Sequence, residues 1–309
     1  MFNHSISLYL SAVFIWGSTF FAIKFQLGDV VAELSIAYRF GLASLILFAW
    51  CLFRGLPLRF SVTQHLWMGL QGILLFNLNY LVIYWATPML TSGLIAVIFS
   101  TIVLMNIANS MLFLRKSASL LIIAGALLGL AGITFIFAPE IANFRTNANA
   151  LTGVGLSLLG TFIASLGNIV SSRNQQQNMP VIQTNAYGMA YGALILFVAA
   201  MVQGIPINYE PTIAYSLSLF YLALFGSVLA FGSYLTLLGR IGPEKAAYTM
   251  VLFPLVALGI STLFEGYQWT GISAMGVALV LAGNVIIIMP KAYLLKLVRE
   301  VRGAKSQTR

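Results

Sequence analysis

The chain has 309 residues, of which 60% are hydrophobic and 7% charged, with a net charge of +9 and a mean hydropathy of +0.94. Soluble domains carry about 25% charged residues, so a water-exposed fold is excluded and an all-α polytopic membrane protein is predicted. One cysteine, Cys51, and two histidines, His4 and His65, exclude an internal disulfide and a Cys/His metal cluster.

A spanning helix takes about 20 mainly apolar residues. Ten stretches qualify: 5–25, 34–53, 64–86, 91–114, 118–138, 151–172, 181–203, 213–238, 245–264 and 271–289. The first lacks a basic leader and an A-x-A site and reads as a retained helix. It carries Trp16-Gly17-Ser18-Thr19, a bulky aromatic and two hydroxyls that lipid cannot satisfy. Cavity lining and bonding back to the preceding turn are both open to those hydroxyls.

The second segment holds Arg39, the one charge well inside a span. At about six residues from the segment start it is expected to snorkel outward, in a gating or structural role; pairing with Glu33 and binding of a substrate carboxylate are the alternatives. In the third, the spacing of Asn77, Tyr80 and Tyr84 predicts one helix face, with Asn79 and Trp85 off it. The fourth carries Asn106 and Asn109, and the sixth Asn168 beside Gly167. The eighth carries Ser227 and Tyr234 seven apart; the ninth has Tyr248 and Pro254, whose missing N–H permits a kink.

Numbered from an inside N-terminus, the inside loops and tail hold thirteen of the sixteen Lys and Arg residues; Lys24 and Arg145 fall outside and Arg39 within a span. The positive-inside rule therefore predicts two cytoplasmic termini and an even number of spans. The basic balance reads as anchorage to one membrane face rather than nucleic-acid binding.

The stretch Gly125-Ala126-Leu127-Leu128-Gly129-Leu130-Ala131-Gly132 returns 151 residues later as Gly276-Val277-Ala278-Leu279-Val280-Leu281-Ala282-Gly283. Tyr84 matches Tyr234, Tyr38 matches Tyr187, and Gly17-Ser18 matches Gly167-Asn168. Two repeats are expected, 1–142 and 151–290, with a linker at 143–150 and a basic cytoplasmic tail at 291–309. Five spans per repeat is odd, so the repeats must be inverted, an architecture associated with secondary transporters that bind at the midplane.

The Trp16-Gly17-Ser18-Thr19 stretch, Arg39 and the Gly-x-x-Leu-x-Leu-Ala-Gly ending of both halves resemble the EamA family of the drug/metabolite transporter superfamily. The resemblance covers nearly the whole chain. It implies ten helices, cytoplasmic termini, a central cavity between the halves, and transport, often export, of amino acids and other small metabolites. One departure is that Glu265 follows the ninth segment, as is usual in the family, whereas the first half has Leu114 there; Glu265 is read as structural.

The expected function is secondary transport of a small metabolite by alternating access, with amino-acid export as the leading substrate assignment and no cofactor. The expected substrate-binding residues are Trp16, Ser18, Thr19, Asn77, Tyr80, Tyr84, Asn168, Ser227, Tyr234 and Tyr248, with Arg39, Pro254 and Glu265 in gating or structural roles. The partners are a small-molecule substrate and the lipid bilayer of the plasma membrane (the inner membrane in a bacterium); a homo-oligomer is left open. A nucleotide-sugar or lipid translocator is the alternative, although a nucleotide-sugar cavity should hold several cations and only Arg39 is available. An integral membrane enzyme lacks a positioned acid–base pair, and no Walker motif supports an ATP pump. No Asp or Glu sits within a helix interior, which disfavours an antiporter of the small multidrug type, with its carboxylate in the first helix.

Overall fold

The structure, a computed structural model, describes residues 2–26, 28–90, 92–115, 119–136, 138, 148–264 and 269–288. Among these, the chain forms helices and connecting turns and no strand. The helical rods are α1 (Phe2–Lys24), α2 (Ala32–Phe53), α3 (Val62–Ala86), α4 (Ser92–Ser100, resumed as Ile102–Phe113) and α5 (Leu120–Ile136). They continue with α6 (Ala148–Gln176), α7 (Val181–Val202), α8 (Ile213–Ile241), α9 (Thr249–Phe264) and α10 (Gly271–Ile288). Six are long and apolar enough to cross a membrane, namely α1, α2, α3, α6, α7 and α8; α4, α5, α9 and α10 contribute shorter apolar helices. Helices suit a chain this apolar because each backbone group finds its partner within the segment.

Local chemistry sets the ends. Ser61 and Gln64 form a reciprocal capping box that starts α3. Thr212 caps α8 through the Tyr215 N–H. Gly242, at φ 90°, ends α8 in a conformation that side chains resist, and Pro243 opens a single turn, Pro243–Ala246, before α9. The ninth expected segment is thus broken near its start. The fourth is broken at Thr101, whose N–H and Oγ both turn back to the Ile98 carbonyl.

The sixth segment runs past its expected end to Gln176, because its polar residues find partners across the bundle. Asn174 donates to Gln71 Oε1 at 3.1 Å and Gln175 to the Leu235 carbonyl at 2.9 Å. It also starts at Ala148, inside the expected linker; residues 143–147 and the tail lie outside the described residues.

The main helix pairs all join the two halves of the chain: α5 with α10, α2 with α7, α1 with α9 and α8, and α6 with α3 and α4. Glycines permit the closest of these contacts. A Cβ on Gly132 would sit 2.6 Å from the Gly276 carbonyl oxygen, and one on Gly283 2.6 Å from that of Gly125. The loops interlock as well. Tyr38 OH donates to the Asn208 carbonyl and Tyr187 OH to the Leu58 carbonyl, each at 2.8 Å. Exposed Leu45, Leu66, Leu112, Met201 and Leu217 cover the outside, as a lipid-facing surface requires.

Candidate functional site

The helices enclose a central, partly open cavity of about 60 Å³. Its walls come from α1 (Trp16, Thr19), α2 (Arg39), α3 (Asn79, Tyr80), α4 (Phe99, Ile102), α6 (Asn168), α8 (Phe231, Tyr234) and α9 (Met250, Phe253). Both halves of the chain therefore contribute, and relative movement of the halves would change access to it.

Backbone irregularities position these side chains. α3 and α8 each pass through a π-helical stretch, Leu74–Leu78 and Leu222–Leu229, where the wider turn shifts the register of everything that follows. In α8 the Gly226 carbonyl accepts the Trp16 Nε1–H at 3.1 Å, and Ser227 Oγ donates to Leu222 O, five residues back, at 2.9 Å. A Cβ on Gly226 would meet Thr19 Cγ2 at 2.9 Å and Arg39 Nη2 at 3.1 Å, so the glycine lets α1 and α2 approach together. In α9, Pro254 cannot donate to the Met250 carbonyl, and Ser100 Oγ takes that acceptor at 2.7 Å. The proline break thus ties α9 to α4 at the cavity wall.

Trp16 packs its ring against Phe231 and Tyr234, both with centroids 5.0 Å away. Thr19 Oγ1 bonds back to the Trp16 carbonyl at 2.8 Å, leaving its methyl toward Gly226. Asn168 Nδ2 donates to Tyr234 OH at 3.0 Å and approaches Asn106 Oδ1 at 3.4 Å, while Asn106 donates to the Pro243 carbonyl. This network fixes Asn168 and Tyr234 on the wall.

Arg39 does not snorkel. It is 1% exposed and reaches the cavity, its Nε donating to Ser227 Oγ at 2.9 Å. The guanidinium carbon lies 4.7 Å from the Tyr80 ring centre and 5.1 Å from that of Phe40. The aromatic rings and the serine hold it inside because they replace part of its hydration shell.

Of the expected residues, Trp16, Thr19, Tyr80, Asn168 and Tyr234 meet at the cavity, joined by Arg39. Ser227 stands behind Arg39 as its support. Ser18 faces away, bonded to the Ile15 carbonyl at 2.7 Å and to Tyr221 OH in a groove between α1 and α8. Tyr84 and Tyr248 are buried off the cavity wall. Pro254 sits beside the lining residue Phe253. Glu265 lies outside the described residues.

The expected Asn77–Tyr80–Tyr84 face is split by the π stretch. Asn77 turns to α7, donating to the Gly192 carbonyl at 3.0 Å, while Asn79 and Tyr80 reach the cavity. Asn77→Ala is accordingly expected to lower stability by about 1–3 kcal/mol, with transport per folded molecule unchanged. Thermal melting and flux measured on the same preparation check this. Leu75, Asn79, Phe99, Phe231 and Phe253 also line the cavity and were not expected. The aromatic ones give no local signal among 22 phenylalanines.

The EamA-like transporter family matches the chain twice, over residues 4–138 and 151–289. The "Uncharacterized inner membrane transporter YedA" of Escherichia coli (strain K12) is 28% identical over 293 residues, covering 94% of this chain and 91% of that protein. The "Uncharacterized transporter YoaV" of Bacillus subtilis (strain 168) is 25% identical over 276 residues, covering 89% and 93%. A solved crystal structure shares the fold at a TM-score of 0.75 with 17% identity, covering 93% of this chain and 96% of its own.

Proposed function

The chain belongs to the EamA-like transporter family, and from that membership we propose a secondary transporter that moves a small metabolite by alternating access. It is a membrane transporter, not an enzyme, in line with relatives named as transporters. The observation that carries the mechanism is the cavity walled by both halves. Rocking one half against the other would expose it first to one side and then to the other.

The finer reading is ten spans in two inverted repeats, both termini cytoplasmic, in the plasma membrane, which is the inner membrane in a bacterium. Three features support it. The family matches each half separately. The Tyr38–Asn208 and Tyr187–Leu58 hydrogen bonds exchange the roles of the two halves. The π stretches fall in the third and eighth rods, the expected counterparts. Inverting one half onto the other would produce such pairs.

Amino acids or related metabolites are the proposed cargo and export the proposed direction. The binding residues in this reading are Trp16, Thr19, Tyr80, Asn168 and Tyr234, with Ser227 supporting Arg39. A nucleotide-sugar cargo is less favoured, because the single cation among the described wall residues offers too little to a diphosphate. The test compares extracellular metabolites of cells that overexpress the protein with those of cells lacking it. Accumulation of amino acids that follows expression is expected. An unchanged amino-acid profile would sink the cargo assignment, and absence of any solute exchange by proteoliposomes would sink the transporter mechanism.

A further inference from the structure

We propose that the cavity takes a solute with one carboxylate on an apolar body, and that the Arg39 guanidinium is its anion site. This deepens the transporter reading above and rests on it.

The argument begins with the donors of Arg39. A guanidinium has five N–H groups in a fixed plane. Nε is used by Ser227 at 2.9 Å, and Nη2 makes only a long approach of 3.5 Å to Tyr80 OH. Nη1 is buried and has no hydrogen-bond partner among the described residues, and the Tyr84 hydroxyl near the guanidinium is likewise unpartnered. A charged nitrogen withdrawn from water and left unpaired is among the least favourable arrangements a helix bundle can hold. Arg39 lines the cavity wall, so a small shift of the rings around it would bring its guanidinium against a solute held there.

The missing charge points the same way. No Asp or Glu lines the cavity, and Arg39 makes no ion pair among the described residues. An intramembrane cation without a counter-ion favours an anionic ligand. A carboxylate matches the planar fork, whereas an ammonium that brings no carboxylate of its own would meet an unopposed positive charge. The one unpartnered acceptor on the described wall is the neutral Asn79 Oδ1. It can receive an N–H, including that of a zwitterion whose carboxylate sits on Arg39, but cannot neutralise a lone cation.

The remaining wall sets the body of the solute. Trp16, Phe99, Phe231 and Phe253 present rings and Ile23, Leu75 and Ile83 aliphatic surface. A small hydrophilic diacid would bury its second charge against these groups at a cost that nothing there offsets. An apolar monocarboxylate fits both parts of the site.

Four probes of matched skeleton test this on the purified full chain by titration calorimetry: 3-phenylpropanoate, L-phenylalanine, 3-phenylpropanamide and phenethylamine. The two carboxylates are expected to bind about tenfold to a hundredfold more tightly than the amide and the amine, the range for a charge-assisted hydrogen bond. In Arg39→Gln the acid-over-amide preference should disappear, with the affinity for the amide retained. Equal binding of acid and amide to the unsubstituted protein would overturn the proposal. So would tightest binding of the amine, binding of none of the four, or an Arg39→Gln variant that weakens acid and amide alike, as a purely structural arginine would. Should Arg39→Gln fail to fold, Arg39→Lys keeps the charge without the fork and should narrow the preference; an unchanged preference counts against the proposal. Proteoliposome flux of the amide or the amine with the acids excluded would overturn the anion site and leave the transporter reading standing.

Discussion

A single methyl group added at position 72 is expected to destabilise the protein by about 3 kcal/mol, the upper end for overpacking. In Gly72→Ala the new Cβ would overlap the Gly188 carbonyl oxygen and sit 3.1 Å from the Gly188 Cα. Both are backbone atoms, so no rotamer change relieves the clash and α3 and α7 must separate. Gly188 and Gly192 meet α3 at the same crossing, with a Cβ on Gly192 3.1 Å from the Gly72 carbonyl oxygen. Separation would also break the bond from Asn77 to the Gly192 carbonyl. In a bilayer there is no hydrophobic gain to offset this, because lipid tails are as apolar as the side chains and packing itself holds the helices. Gly69→Ala supplies the control: its Cβ would meet nothing closer than Tyr191 Cδ2 at 3.8 Å, so it should be neutral or slightly stabilising through helix propensity. Melting of both variants in detergent decides the matter. A Gly72→Ala melting point equal to that of Gly69→Ala would show that the crossing is looser than described. Because α3 carries Asn79 and Tyr80, any Gly72→Ala protein that does assemble should also transport poorly.

Removal of the Trp16 ring is the second large effect. Trp16 is 6% exposed, holds the Gly226 carbonyl, packs on Phe231 and Tyr234, and forms part of the cavity wall. Trp16→Ala should cost about 3–5 kcal/mol of stability, the usual range for deleting a buried aromatic. It should also lower solute exchange per folded molecule by about a hundredfold, through loss of a stacking surface and of the contact that sets α1 against α8. Trp16→Phe separates these contributions. It keeps a ring and loses the Nε1–H, leaving the Gly226 carbonyl without that donor at a cost of about 1–3 kcal/mol. Exchange by Trp16→Phe should lie between that of the unsubstituted protein and that of Trp16→Ala. If Trp16→Ala exchanges solute at the unsubstituted rate in proteoliposomes of equal protein content, Trp16 has no place in the transport path.

Much of this site was legible in one dimension. Hydroxyls and amides inside apolar runs must face protein or a cavity, and that reasoning led to Thr19, Tyr80, Asn168 and Tyr234. It could not separate them from Ser18, which meets the same requirement with its own preceding turn and Tyr221. Local bonding and cavity lining place identical demands on the sequence. The tail and Glu265 lie outside the described residues, and their expected roles stay as expectations.

The solvent the chain folds in, the places of its apolar helices and the duplication of its halves are all written in the residue order. Those features depend on composition and on spacings within one segment or repeated by the next. Which polar residues meet depends instead on how the helices pack. Asn77 and Asn79 exchange their expected faces because a π stretch adds to the turn that an ideal α-helical period assumes. Arg39 stays inside because Ser227, 188 residues away along the chain, binds its Nε, and because aromatic rings take the place of water around it. Periodicity describes one helix at a time. The depth at which a charge comes to rest depends on what the other helices bring to it.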